Sequence, residues 1–145
     1  MAGPASLVVD ASVAVKWFNP EEDREAAILL RDEHARGKVR ISAPLLLVWE
    51  VANGLRYSAE AGTDFVQQAL RDLWDLGIAF HAPDPEWMSD AVGIAFDGGL
   101  TLYDASYLAL ARHLGTLCYA ADDKMIQKAP GGLARHISDY AVGSP

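Results

Sequence analysis

The sequence has a single cysteine, Cys118, so no disulfide can form within the chain, and a reducing compartment suits it. It has no apolar run long enough to span a bilayer; stretches such as Ala43 to Trp49 fall far short. Met1-Ala2-Gly3-Pro4 lacks the basic and apolar regions of a secretory signal, and the expectation is a cytoplasmic protein without a membrane partner. The four histidines, His34, His81, His113 and His136, show no paired spacing, which argues against zinc. No basic excess exists either: 12 Lys and Arg stand against 20 Asp and Glu, for a net charge of −8. Residues 60–104 hold nine of those acids and one base, so the usual electrostatic footprint of a nucleic-acid binder is missing. Repeats, linkers and low-complexity segments are absent as well.

What is present is a chain of 145 residues, 51% hydrophobic, enough to bury a core in one domain spanning residues 1–145. Short β-branched or alternating runs at Leu7–Val9, Arg40–Ala43, Ile78–His81 and Thr116–Ala121 read as strands, with Arg135–Ser138 as a final edge strand. Between them lie helical stretches at 11–18, from Glu21 to Ala35, from Pro44 to about Ala61, from Thr63 to Asp75, from Glu86 to Phe96, from Thr101 onward, and from Lys124 to Lys128. Pro44 suits the first position of its helix, and Trp87, Ala91, Ile94 and Ala95 form one inward stripe. This alternation predicts a three-layer α/β/α sandwich with a central parallel sheet. In such sheets ligands bind beyond the carboxyl ends of the strands, where strand order reverses. Asp10 and Asp122 both fall at strand ends, and on neighbouring strands they would start only ~5 Å apart.

Two further acids stand out. Thr101-Leu-Tyr-Asp104 opens a helix that is apolar almost all round, with Thr101 as N-cap and Asp104 where a capping-box acid belongs. Glu50 lies among Leu46, Leu47, Gly54 and Tyr57 with no Lys or Arg one turn away, so it needs a partner from elsewhere in the fold. Asp10 and Asp122 have a local explanation as caps, as does Asp104; Glu50 has none. Local capping also leaves unexplained why four carboxylates sit on elements that converge on one crevice without matched cations. Oxygen ligands without His or Cys select Mg²⁺ or Mn²⁺, and two such ions would offset four negative charges. The chemistry indicated is metal-assisted phosphoester cleavage.

Leu7-Val8-Val9-Asp10-Ala11-Ser12, Glu50-Val-Ala-Asn-Gly-Leu, Leu102-Tyr-Asp104-Ala-Ser-Tyr-Leu-Ala-Leu-Ala111 and Ala120-Ala-Asp122 together resemble PIN-domain ribonucleases, and their order is most similar to the VapC-type toxins of toxin–antitoxin pairs. The resemblance covers nearly the whole chain. It implies that Asp10, Glu50, Asp104 and Asp122 form an acidic quartet holding Mg²⁺ or Mn²⁺. It implies that Ser12 orients water or phosphate and that Thr101 fills the hydroxyl position before the third acid. The activity implied is endoribonuclease cleavage of single-stranded or loop RNA by metal-activated water. The partners implied are a cognate VapB-type antitoxin and a second copy in a homodimer. The last motif departs from the family in reading Ala-Ala-Asp122-Asp123-Lys, without the usual threonine, so Asp123 is an alternative to Asp122.

Around this quartet, Asn53 stands one turn beyond Glu50 as an outer hydrogen-bonding group, and Lys16, Arg56, Arg112, Lys124 and Lys128 are cations near motif ends that would bracket phosphates. Trp17 and Phe18 are adjacent on a short helix, so one should face outward as an antitoxin anchor; Trp49, Trp74 and Trp87 are expected in the core or at a dimer contact. Two other readings stand beside this one: a catalytically inactive PIN-type binding module, and a housekeeping RNA-processing nuclease without an antitoxin. Phosphoacceptor folds fit poorly, since Ser12 replaces the second Asp of the phosphatases and His81-Ala82-Pro83 stands where a receiver's acceptor belongs.

Overall fold

The computed structural model describes residues 3–58 and 61–141. Five strands, β1 (Ala5–Val9), β2 (Val39–Pro44), β3 (Ala79–His81), β4 (Cys118–Ala120) and β5 (Ala134–His136), form one sheet in the order β3-β2-β1-β4-β5. Every pairing is parallel. Leu7, Val8 and Val9 are consecutive and all buried, so both faces of the central strand are covered and the expected helix–sheet–helix layering holds. The chain leaves β1 for β2 on one side and later returns to β4 on the other. The reversal of strand order therefore falls between β1 and β4, where the crevice rule places a ligand.

The helices are α1 (Ala11–Ala14), α2 (Arg24–Ala35), α3 (Leu46–Arg56), α4 (Thr63–Asp75), α5 (Pro85–Gly98), α6 (Leu102–His113) and α7 (Asp123–Lys128). A 3-10 turn, Val15–Trp17, prolongs α1, and another, Ile137–Asp139, follows β5. Helix α6 carries the unbroken apolar run: Tyr107, Leu108, Ala109, Leu110 and Ala111 are all fully buried. Such a helix has no solvent face over that stretch, so it packs on the sheet on one side and on α5 on the other. Helix α5 buries Trp87, Ala91, Ile94 and Ala95, the expected stripe.

Several boundaries differ from the sequence reading, three of them around the site. Pro44 ends β2, paired with His81, instead of opening α3, because the ladder continues through the Leu45 N–H to the His81 carbonyl at 3.1 Å. Helix α3 stops at Arg56; of the five further residues expected to be helical, Ala59 and Glu60 lie outside the described residues. Glu21, Glu22 and Asp23 precede α2 because Lys16 ties this segment down: its Nζ donates to the Glu22 carbonyl at 2.7 Å and reaches Glu21 at 3.5 Å. Asp23 takes a left-handed conformation there (φ 62°) and caps nothing with its side chain.

The tryptophans divide between core and surface. Trp87 is core, but Trp49 and Trp74 are 72% and 63% exposed, and Trp74 stacks on Phe80 at 5.6 Å. Trp17 is the inward member of its pair, donating its ring N–H to the Ala27 carbonyl at 2.8 Å, while Phe18 is half-buried against the core.

Candidate active site

At the carboxyl end of β1, Asp10 takes an extended conformation and caps α1 with Oδ2, which accepts from the Ser12 N–H at 3.1 Å. The Ser12 hydroxyl donates to the same oxygen at 2.6 Å and accepts from the Ala121 N–H at 2.9 Å. Ser12 thus ties the end of β1 to the end of β4 and fixes the Asp10 carboxylate. Its proton is committed to Asp10, and the oxygen keeps a second lone pair that can accept from water at the cleft it lines. The Oδ1 atom of Asp10 has no hydrogen-bond partner among the described residues and remains available to the crevice.

Glu50 has the partner that its position demands. Tyr107, fully buried on α6, donates its hydroxyl to Glu50 Oε1 at 2.5 Å. The two residues are 57 apart in sequence, so no local pattern announces the bond. Gly54, one turn further along α3, lets that helix approach the 3-10 turn; a Cβ there would meet Val15 at 3.1 Å.

Asp104 sits in the first turn of α6, whose N-cap Thr101 accepts the Asp104 N–H at 3.0 Å. Asp10, Ser12, Glu50, Gly54, Asp104 and Ala121 line one cleft of about 450 Å³, together with Lys16 and Glu21. Glu21 is the acid that sequence reasoning missed; it was taken for a helix-start charge. Asp122 caps α7 through the Met125 N–H at 3.2 Å and is outside the cleft lining, but its charge adds to the rise of Asp104. Asp123 is largely exposed and lies 3.9 Å from His136, outside the cleft lining. Of the two, Asp122 is the one coupled to the cleft acids.

The electrostatics follow from this geometry. Burial pushes the Asp10 carboxyl up to about 6 against the pull of the Ser12 hydrogen bonds, and Glu50 and Asp104 add to the rise. Burial likewise raises Glu50, opposed by the Tyr107 bond and aided by Asp104. Asp104 is raised by burial and by Asp122, and lowered by Thr101 and Lys124. Like charge adds to burial here: among the described residues no cation forms an ion pair with Asp10, Glu50 or Asp104, Lys124 lowers Asp104 without such a contact, and the cleft's own Lys16 is held by Glu21 and Glu22. The donor set is all oxygen and suits a hard divalent cation. Among the described residues, no three Asp, Glu, His or Cys side chains gather closely enough to hold one ion directly. A hydrated ion, retaining several waters between itself and the carboxylates, is the species that fits this spacing.

The remaining candidates fall elsewhere. Asn53 lines a separate groove between α3 and α4, as does Arg56. Arg112 pairs with Asp90 at 2.8 Å, and Lys128 lies against Gly99. Lys16 and Lys124 are the cations next to the acids.

Comparison with known proteins agrees with this architecture. A PIN-domain family profile matches residues 7–131. Ribonuclease VapC3 of Pyrobaculum aerophilum is 34% identical over 129 residues, covering 86% of this chain and 95% of that protein. Exonuclease VapC9 of the same organism is 24% identical over 102 residues, 70% of this chain and 77% of that one. The solved structure of VapBC2 from Rickettsia felis, bound to a DNA fragment from their promoter, superposes with a TM-score of 0.66 at 12% identity, covering 90% of this chain and 98% of that one; it bears on the fold alone. With the profile spanning most of the chain and a relative matched along almost its full length, this protein belongs to the PIN-domain family, in its VapC branch.

Proposed function

We propose that the protein is a divalent-metal-dependent endoribonuclease that cuts single-stranded or loop RNA and acts as the toxin of a toxin–antitoxin pair. The observation that carries the reading is the cleft itself: Asp10, Glu50 and Asp104 face one space, burial raises all three, and the one cation in the lining, Lys16, is held by Glu21 and Glu22. Asp10, Glu50, Asp104 and Asp122 would hold Mg²⁺ or Mn²⁺, in part through water. When bound, such an ion supplies Lewis acidity to a phosphodiester and lowers the pKa of water.

The chain's own residues do the positioning. Ser12 fixes Asp10 so that one oxygen faces the cleft. Tyr107 aims Glu50, which would take the proton that water loses as its oxygen forms the new P–O bond. The bond to the departing ribose oxygen breaks, that oxygen takes up a proton from solvent, and Lys124, near Asp104, offsets charge on the phosphate. A VapB-type antitoxin and a homodimer complete the proposal; Met88, Val92, Leu102 and Tyr103, exposed on α5 and α6, are apolar surface that such contacts would cover. No helix among the described residues is long and apolar enough to cross a membrane.

A second reading, an inactive PIN-type binding module, draws support from one observation: the acids stand too far apart to ligate a single ion without water. One experiment separates the two. Purified protein is given an RNA pool that includes a circular single-stranded RNA, in Mg²⁺ or Mn²⁺ and in EDTA, with Asp104→Asn in parallel. Metal-dependent cutting of the circle, lost in the variant, is expected. Folded wild type free of antitoxin that cuts no RNA would overturn the proposal in favour of the binding module.

A further inference from the structure

Helix α3 presents two faces side by side. Glu50 and Gly54 look into the acidic cleft, whereas Trp49, Asn53 and Arg56 line a groove of about 530 Å³ shared with α4. Trp49 and Glu50 are consecutive, as are Asn53 and Gly54, so the two separate spaces lie on neighbouring faces of one helix. Among the described residues the groove's lining holds one cation, Arg56, and no acid. Arg56 lies over the Tyr57 ring at 5.7 Å from its centroid, and Asn53 has no hydrogen-bond partner among the described residues. A tryptophan 72% exposed, at the edge of a groove with a free amide and a stacked guanidinium, is unexplained by the fold. Each residue has a matching use on an unstacked nucleotide: a ring face to stack on, an amide to read a base edge, and a guanidinium for phosphate or base.

We propose that the α3–α4 groove is a base-binding subsite for the nucleotide next to the cleaved phosphate, with Trp49 as its stacking platform, Asn53 reading the base edge and Arg56 neutralising the adjoining phosphate. The inference rests on the reading of RNA as substrate and adds where its sequence preference arises. Trp74 serves as the internal control. It is also exposed, but it lies on the Phe80 ring and outside this groove.

The test is fluorescence anisotropy of labelled single-stranded oligo-A, -C, -G and -U in EDTA, which separates binding from cutting. Wild type, Trp49→Ala, Trp49→Phe, Asn53→Ala and Trp74→Ala are compared after thermal melts establish that each is folded. Loss of a stacked base is expected to weaken Trp49→Ala about tenfold or more for every RNA, with Trp49→Phe retaining most of the affinity. Asn53→Ala should narrow the difference between bases, and Trp74→Ala should bind as wild type. If wild type binds RNA and Trp49→Ala binds equally well, the subsite is overturned while the nuclease reading stands. If Trp49→Ala binds RNA normally but escapes inhibition by an antitoxin, the groove docks protein instead, and the proposal is likewise overturned. If wild type binds no RNA, the substrate reading fails and takes the subsite with it.

Discussion

Two glutamates in this protein make the same bond and do different work. Glu33 on α2 accepts the Tyr140 hydroxyl at 2.7 Å; Glu50 on α3 accepts the Tyr107 hydroxyl at 2.5 Å. Glu33 is buried, 5% exposed, and its bond ties the segment after β5 to α2. Glu50 is half-buried, and beside it stand Asp10 and Asp104, each adding to the strain of holding charge in one cleft. A tyrosine–glutamate bond is therefore no mark of a site by itself. What marks the site is a set of acids that raise one another where a cation would relieve them.

The sharpest way to break this comparison is to remove cleft charge. Asp10→Asn should abolish metal-dependent cleavage and at the same time stabilise the metal-free protein near neutral pH, because the variant keeps the Ser12 contacts and sheds a buried charge. The melting temperature should rise by several degrees, at ~3 °C per kcal/mol for a domain of this size. A fall in stability would mean that Asp10 is a structural cap and little more.

The two tyrosines should then part company. Tyr107→Phe leaves Glu50 unaimed and should lower cleavage about 10- to 100-fold, as loss of an outer hydrogen bond to a metal-site group does, with little change in melting. Tyr140→Phe leaves Glu33 buried without its partner and should cost about 1–3 kcal/mol of stability with activity per folded molecule unchanged. Equal effects on activity would erase the distinction drawn here.

The pH dependence has an unusual sign. Asp10 titrates at about 6 when folded and near its ordinary value of 3.8 when unfolded. Between those values the native state holds more protons, so metal-free stability falls as pH rises through that window, by on the order of 3 kcal/mol for this group alone. Glu50 and Asp104, shifted the same way, act in the same direction. Thermal melts in EDTA should therefore show higher stability at pH 4.5 than at 7.5, and added Mn²⁺ should stabilise more at 7.5, where protons no longer compete with it. The smallest effect is expected of Ser12→Ala, which frees Asp10 and leaves the Ala121 N–H without its partner: about 1 kcal/mol of stability, and cleavage reduced about tenfold.

Much of this was legible in the chain, for reasons that differ by element. Helix α4 matched its expected span of Thr63 to Asp75 because Gly62 and Gly77 flank a clear amphipathic period, and the inward face of α5 followed from spacing alone. Asp10, Glu50 and Asp104 were readable as strand-end or misplaced acids, and the need of Glu50 for a remote partner was readable too. The partner was not, since Tyr107 lies 57 residues away and reaches Glu50 only in the folded chain. The bond of Ser12 to the Ala121 N–H was hidden because it depends on the β1–β4 neighbour relation. Pro44 was misassigned because proline suits both a helix start and a strand end, and pairing with β3 decided between them. The exposure of Trp49 and Trp74 ran against hydrophobicity, which is why tertiary structure was needed to see the α3–α4 groove.

The most direct test of the central claim is a Mn²⁺ titration at pH 7.5, followed by the paramagnetic resonance of the free ion, on wild type, Glu50→Gln and Glu33→Gln. The account predicts that wild type and Glu33→Gln bind alike while Glu50→Gln binds about tenfold more weakly or worse. Binding by Glu50→Gln equal to that of wild type, or no binding by wild type at millimolar Mn²⁺, would contradict it.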